Sequence, residues 1–340
     1  MAAADLLQLF ESLVLPMATP SRNDLSAVAI PESGGHRLAK DANGYPCLLI
    51  RQSPQRGRLA PIRLENLLVS FDVPCTISHV GRKLEQDIFT IVRCTASNPA
   101  LFPHFLIILT PMICTLGPAP THAAVRRAIA GLVELFQALS APAKKTVQGL
   151  WAELFLIRWA SDPRAMAAAW HPDPQEHFDF SAGPQRIEVK SSSLRRRVHH
   201  FSLVQLTPPQ GTRVLVASLF VERSGGGASV HSLFDSVRAL LASSAELMRH
   251  FDATFYASLG AGWEEAMNEA FDWEMARESL AFFDADQIPT VPNPIPPSVS
   301  DVRFCSDLSA AVPLRRDEVI AAGGIFSAGI PNVGHNSSQY

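Results

Sequence analysis

The sequence predicts a mixed α/β protein in which a β-rich N-terminal region precedes a core of helices and strands. Three observations support this class. Residues 1–118 contain β-rich runs separated by Gly, Pro, Asn and Asp. Residues 121–160 carry apolar side chains at helical spacing, interrupted at Pro142. Short strand-like runs then follow from about residue 177.

The composition indicates a packed globular protein. The 340 residues suffice for two domains or one large decorated domain, and 47% hydrophobic with 18% charged residues argues against disorder. The formal net charge of -3 gives no overall basic field, so any contact with nucleic acid has to come from a local patch.

The cysteines argue against a zinc site and against a disulfide framework, because they are scattered and form no CxxC pair or Cys/His cluster. We therefore expect a reducing, cytoplasmic location. The five residues are Cys47, Cys75, Cys94, Cys114 and Cys305.

No membrane segment or signal peptide is expected. The N-terminus lacks a basic region and carries Asp5 and Glu11, which favours a helix. The most apolar run, 105–116, is too short to cross a bilayer and contains Pro111. We interpret that run as a buried strand or strand pair.

The chain order suggests three regions: a β-rich domain at 1–118, a core at 119–285, and an extended Pro-rich segment with a C-terminal tail at 286–340. No phosphate-binding glycine motif occurs in the first region. Its strands are predicted in YPCLLIRQ, IRLENLLVSF, DIFTIVRCT and HFLIILTPMICTL.

Two helices are predicted to open the core, at 121–139 and 143–160. In the second, Glu153 lies at about 40° from Ile157 on the helical wheel, at the edge of the apolar stripe. Such an acid can point into a site formed by the sheet that the helix covers. The alternative is an ordinary solvated glutamate.

Strands and helices alternate in the rest of the chain. We expect strands at 177–181 and 186–191, a third in HHFSLVQL and a fourth in RVLVASLFVER. A long helix with a break near its middle should cover 230–259, and 263–283 should hold a helix or a helix plus strand. VRFCSDLS can form a last strand. The tail from Gly323 lacks periodicity, so we expect it to be loosely ordered or docked on a partner.

The chemistry-bearing residues are concentrated between Asp179 and Lys190. In a strand with period two, Glu188 and Lys190 share one face while Ile187 and Val189 share the other. Asp179, between two phenylalanines, is predicted to point away from the core. Carboxylates and a lysine at one point can hold a divalent metal and a water beside a phosphate. The alternative is a solvent-facing sheet edge with a Glu/Lys pair.

The order of a helix glutamate, a strand aspartate, Glu-x-Lys and a further strand resembles the PD-(D/E)XK nuclease superfamily. Four stretches are similar to a bacterial family of uncharacterised function assigned to that superfamily. They are GLWAELFLIR, the stretch from AWHPDPQEHFDF to IEVKSSS, HHFSLVQL and PPSVSDVRFCSDLS. Genes of this family are typically found beside restriction and phage-defence genes. The proline that often precedes the aspartate is replaced by Phe178.

The resemblance implies a restriction-endonuclease-like αβββαβ core and a set of active-site residues. It assigns catalysis to Glu153, Asp179, Glu188 and Lys190, with Gln205 as a possible accessory residue. The implied ligands of Mg²⁺ are Asp179, Glu188 and the Val189 carbonyl, and Mn²⁺ can replace Mg²⁺. The implied products of DNA cleavage carry a 5′-phosphate.

The densest basic run of the chain follows the lysine. Ser191, Ser192 and Ser193 can bind phosphate oxygens, and Arg supplies affinity that does not depend on sequence. The alternative is a solvated loop. The predicted DNA-binding residues of this run are Arg195, Arg196, Arg197 and His199, with His200 beside them.

Our first hypothesis is a Mg²⁺-dependent endonuclease of double-stranded DNA in a restriction-modification or phage-defence system. Cutting both strands favours a homodimer or larger complex, and ATPase or methyltransferase subunits are possible partners. The alternative is a catalytically inactive DNA-binding or assembly subunit on a nuclease-like fold, because such folds can lose chemistry and retain binding. A third hypothesis is a structural subunit that acts through its N-terminal region and gains activity only within a complex.

Overall fold

A computed structural model describes residues 3–16, 25–52, 59–77, 85–99, 101–171, 177–292, 295–296 and 298–331. Contacts divide the chain into two compact units, Met1–Ala141 and Pro142–Tyr340. Both helices and sheets are present, so the predicted mixed α/β class is confirmed. The division into three regions stays a prediction.

The first unit is built on an antiparallel sheet. Within its described residues the strand order is β1-β2-β3-β6-β5-β4, and β3 pairs with β6 so that Cys47 faces Arg93. Its elements are α1 (Ala3–Ser12), β1 (Leu25–Ala29), β2 (Arg37–Asp41), β3 (Pro46–Arg51), β4 (Ile62–Arg63), β5 (Leu67–Ile77), β6 (Glu85–Cys94), α2 (Leu101–Leu116) and α3 (His122–Leu139).

Helix α2 corrects the strand predicted at 105–116. The run is helical through Pro111, and most of its side chains are buried, including Phe105 and Leu109. An apolar run that is buried on all sides has no polar face, so its periodicity does not separate strand from helix. No helix in the described part of the chain is long and apolar enough to cross a membrane.

The second unit contains the remaining elements. They are α4 (Val147–Trp159), α5 (Pro163–Ala169), β7 (Phe180–Ala182), β8 (Gln185–Ser192), β9 (Val198–Ser202), α6 (Leu203–Leu206), β10 (Arg213–Phe220), β11 (Arg223–Ser229), α7 (Val230–Leu241), α8 (Ala245–Leu259), α9 (Trp263–Met267), β12 (Ala270–Phe271), α10 (Trp273–Ser279), β13 (Ala281–Asp284), β14 (Arg303–Asp307), α11 (Arg316–Ala321) and α12 (Gly324–Gly329).

A mixed sheet in the order β13-β10-β8-β7 forms the centre of this unit. Strands β7 and β8 are antiparallel, whereas β8 and β10 run parallel with Glu188 opposite Val216 and Lys190 opposite Ser218. Helix α4 packs against β8. The parallel pair needs a crossover, and the chain makes it through β9 and α6. Strand β8 is therefore an interior strand of the sheet.

The predicted third strand, HHFSLVQL, is only half correct. Strand β9 ends at Ser202 and pairs with β14 outside the central sheet, and the turn of helix α6 follows. The side chain of Gln205 accepts a hydrogen bond from the Ser202 backbone N–H at 3.0 Å. This contact closes the turn, so Gln205 lies on a helix and not on a strand.

Capping residues set the helix starts. Thr146 accepts a hydrogen bond from the Gly149 N–H at 3.1 Å, so α4 begins at Val147 and not at Ala143. Thr121 accepts from the Ala124 N–H at 3.2 Å and starts α3. The predicted break within 230–259 separates α7 from α8.

Part of the predicted loose tail is ordered against the sheet. Helix α12 packs on β8, and Phe326 is fully buried. Gln185 ties the segment down, since its amide donates to the carbonyls of Ala322 and Gly323 and accepts from the Ile325 N–H at 2.9 Å. Residues 332–340 of the tail, with Pro294 and Pro297 of the Pro-rich segment, lie outside the described residues.

We expect Phe326→Ala to lower the free energy of unfolding by about 3–5 kcal/mol, because it removes a buried ring and leaves a cavity. Urea denaturation of the full chain measures the effect. The control is Ile320→Ala, at a residue that is 44% exposed, which should stay within about 0.5 kcal/mol of the wild type. Equal effects of the two substitutions would contradict the packing of α12.

Candidate active site

Acidic and basic side chains from three elements meet on the second unit. Glu153 comes from α4, Asp179 precedes β7 by one residue, and Glu188 and Lys190 come from β8. A cavity of about 1030 Å³ opens beside them, and its lining includes Lys145, Asp179, Glu188, Lys190 and Gln205, with His171 and His177. The structure therefore brings together the four residues that the sequence predicts, and adds Lys145.

Glu153 is buried and not at the rim of the helix. Every residue from Leu150 to Ile157 is buried because α4 is covered on all sides. The Glu153 carboxylate accepts hydrogen bonds from the Trp170 indole N–H at 2.6 Å and from Lys145 Nζ at 2.6 Å to each oxygen. Glu153 is thus a partner of Lys145 and does not line the cavity.

Lys145 and Trp170 are the residues that sequence reasoning missed. Lys145 Nζ contacts Glu153 and also Asp179 Oδ1 at 2.7 Å, so it bridges two acids. The local signal in the sequence was weak: a lysine directly before Thr146, which caps α4. Trp170 carried no signal, since its indole N–H meets Glu153 only through the packing of α4 and α5.

Asp179 is fixed to strand β8. Its Oδ2 accepts a hydrogen bond from the Val189 N–H at 2.9 Å, while Oδ1 accepts from Lys145. The flanking Phe178 and Phe180 are buried, as the alternation predicted. The role of the Val189 carbonyl as a metal ligand stays a prediction.

Glu188 and Lys190 contact each other along one face of β8. Lys190 Nζ lies 2.7 Å from Glu188 Oε1, and the Gln205 amide donates to the same oxygen at 2.7 Å. Lys190 Nζ also lies 3.4 Å from the side-chain amide oxygen Oε1 of Gln205 and 5.0 Å from the centre of the Phe201 ring. Gln205 therefore connects the acid and the lysine, whereas Glu188 Oε2 is buried with no hydrogen-bond partner within the described residues.

Burial and mutual repulsion decide the charge of the acids. Burial, with the neighbouring Asp179 charge, raises the pKa of Glu153 to about 8 and that of Glu188 to about 7. For Asp179, burial alone would raise the pKa, but the ammonium of Lys145 and the Val189 N–H outweigh it and hold the pKa below its usual value. Burial disfavours the Lys145 ammonium, yet its two carboxylate partners raise its pKa overall.

The donor chemistry fits a small, hard cation, since Asp179 and Glu188 offer carboxylate oxygens and Glu188 Oε2 has no hydrogen-bond partner in the described part of the chain. Among the described residues, however, no group of three or more acid, His or Cys side chains is already gathered as a metal site. The ammonium of Lys145 stands between Glu153 and Asp179.

Only part of the predicted basic run is at the surface. Arg195 and Arg196 are exposed, and Arg195 pairs with Glu222 at 3.0 Å. The guanidinium of Arg197 is directed inward, where it donates to Ser218 and to the Ser279 carbonyl. This contact argues against the predicted phosphate contact of Arg197.

The three serines and the two histidines of this run also differ in exposure and in hydrogen-bond partners. Ser191 accepts a hydrogen bond from Gln148, Ser192 accepts from the Leu194 N–H, and Ser193 is exposed. His200 is exposed, but His199 is buried and lies 2.8 Å from the Ser218 hydroxyl. His199 is not available to a phosphate in this arrangement.

Comparison with known protein families gives a match. A family described as "Putative PD-(D/E)XK family member (DUF4420)" matches residues 7–309, which is most of the chain. No curated protein and no solved structure gives a significant match.

His199 should make the protein sensitive to acid. Burial, followed by the charges of Lys190 and Arg197, lowers its pKa to about 4, so it stays neutral in the fold while the unfolded chain binds a proton near pH 6.5. Stability is therefore present above pH 6.5 and lost as the pH falls toward 4. Between pH 7.5 and 4.5, we expect the free energy of unfolding of His199→Gln to fall by about 2 kcal/mol less than that of the wild type. Urea denaturation at both pH values measures this, and an equal loss in both proteins would contradict it.

Proposed function

Because the chain belongs to the PD-(D/E)XK-like family DUF4420, we propose that it is a metal-dependent endodeoxyribonuclease that hydrolyses phosphodiester bonds. One observation supports this most: Asp179, Glu188 and Lys190 line one cavity, and Glu188 Oε2 is buried with no hydrogen-bond partner among the residues that the structure describes. An acceptor left this way costs about 1–3 kcal/mol in a purely structural protein. A bound cation would satisfy it.

The residues have distinct roles in this proposal. Asp179 and Glu188 hold Mg²⁺ or Mn²⁺, which lowers the pKa of a bound water and offsets charge on the phosphate. Lys190, held by Glu188 and Gln205 at the cavity wall, donates to the attacking water or to a phosphate oxygen. Val189 fixes Asp179 through its N–H, and Gln205 positions Glu188.

The substrate and partners belong to the same proposal. The proposed substrate is double-stranded DNA. The cavity beside the acids is open, and Arg195 and Arg196 are exposed on the β8–β9 loop of the same unit. Cutting both strands with one site per chain favours a homodimer or larger complex. A restriction or defence role with ATPase or methyltransferase subunits follows from the family resemblance, and co-purification would identify such partners.

Plasmid cleavage in Mg²⁺ or Mn²⁺ tests the active site. Asp179→Asn and Lys190→Met should each reduce the cleavage rate by about 100-fold or more, because each removes a group that acts on the reacting phosphate. The control is Asp235→Asn, at an exposed aspartate on α7 that makes a weak surface contact with His231 at 3.6 Å. Cleavage by Lys190→Met at the wild-type rate would refute the assignment of that lysine.

DNA binding without metal tests the exposed basic residues. We expect the double substitution Arg195→Ala/Arg196→Ala to weaken binding equally for unrelated sequences. It should also reduce the slope of log affinity against log salt by about 2, since each arginine neutralises one phosphate. The control carries Arg223→Ala and Arg316→Ala, two exposed arginines on other elements. An unchanged salt slope in Arg195→Ala/Arg196→Ala would remove the loop from the proposed interface.

A further inference from the structure

The ammonium of Lys145 occupies the position that a cation would take between two acids. Its Nζ lies 2.6 Å from both oxygens of Glu153 and 2.7 Å from Asp179 Oδ1. A lysine ammonium has three N–H donors, so these contacts leave none free. Lys190 makes a separate pair with Glu188 and takes no part in this bridge.

We propose that Lys145 is an internal counter-cation. It holds Glu153 and Asp179 in place before metal binds, and a divalent ion has to take Oδ1 of Asp179 from it. The inference rests on the proposed function, because it treats Asp179 as a metal ligand. It adds a residue that controls when the site accepts metal.

Charge balance explains why such a residue is needed. Three carboxylates, those of Glu153, Asp179 and Glu188, have side chains that are 4%, 14% and 6% exposed. Buried like charges repel strongly, and a buried carboxylate needs a partner. Without Lys145, Lys190 would be the one ammonium among the described residues in direct contact with these acids. The metal-free fold therefore depends on Lys145.

The acids are fixed, and the lysine is the member that can leave. Glu153 is held by the Trp170 indole on a buried helix, and Asp179 Oδ2 is held by the Val189 N–H. Lys145 lies before the α4 cap, and its backbone N–H donates to the Ser258 carbonyl. Among the described residues, the ion pairs of its four-carbon side chain are those of the ammonium with Glu153 and Asp179. That side chain is 24% exposed and lines the cavity, which gives the ammonium a path outward.

Calorimetric titration of the full chain with Ca²⁺ and with Mg²⁺, in the absence of DNA, tests the proposal. We expect Lys145→Met to bind the ion about tenfold more tightly than the wild type, since a competing positive charge is gone. The melting temperature of Lys145→Met in EDTA should fall, and the rise on adding metal should exceed that of the wild type. If Lys145→Met does not fold, Lys145→Gln is titrated with the same expectation.

Two controls separate charge from general damage. Lys145→Arg keeps the positive charge and should retain the wild-type affinity within about threefold, whereas a merely structural role would not follow charge in this way. Arg249→Met removes an exposed positive charge on α8 and should bind metal like the wild type.

Equal or weaker metal binding by folded Lys145→Met would overturn the proposal, as would the absence of metal binding in both proteins. These results are separate from the test of nuclease activity. Tighter binding by Lys145→Met in a protein that does not cleave plasmid would uphold the counter-cation and refute the nuclease. Plasmid cleavage by the wild type with unchanged metal affinity in Lys145→Met would uphold the nuclease and refute the counter-cation.

Discussion

The second unit depends on keeping three carboxylates apart from water without leaving their charges uncompensated. Glu153, Asp179 and Glu188 are buried or nearly so, and moving such groups out of water costs several kcal/mol each unless they are paired. Two ammonium groups do the pairing. Lys145 bridges Glu153 and Asp179, and Lys190 pairs with Glu188. Burial, followed by the neighbouring charge of Asp179, still raises the pKa values of the two glutamates.

The fold supplies rigid supports for this network. Strand β8 lies between β7 and β10, so Glu188 and Lys190 are presented by an interior strand and not by a flexible edge. The Asp179 carboxylate accepts a hydrogen bond from the backbone of the same strand. Gln205 of α6 donates a hydrogen bond to Glu188, and the Trp170 indole donates one to Glu153. Each acid is therefore oriented by a group outside its own element, which is the preorganisation that electrostatic catalysis requires.

The basic run shows how a strand divides residues of similar chemistry between two roles. Along β9 the side chains alternate, so His199 and Phe201 are buried while Val198 and His200 are exposed. Arg197 is directed inward at the start of this strand, and Arg195 and Arg196 lie on the exposed loop before it. Residue type alone marks all of these as basic. Their positions relative to the strand decide which can meet a phosphate.

The sequence alone determined what depends on neighbours along the chain. It identified α3 and α4 from their apolar period, the break between α7 and α8, the alternation in β8 that places Glu188 beside Lys190, and the two buried phenylalanines that flank Asp179. It was wrong about α2 and α12, because a run that is buried on all sides and a short segment fixed by Gln185 have no local signature. Only the tertiary structure placed Lys145 between Glu153 and Asp179, and Trp170 against Glu153. These contacts join residues that are 8 to 34 positions apart, and the packing of α4 against β8 and α5 brings them within hydrogen-bond distance.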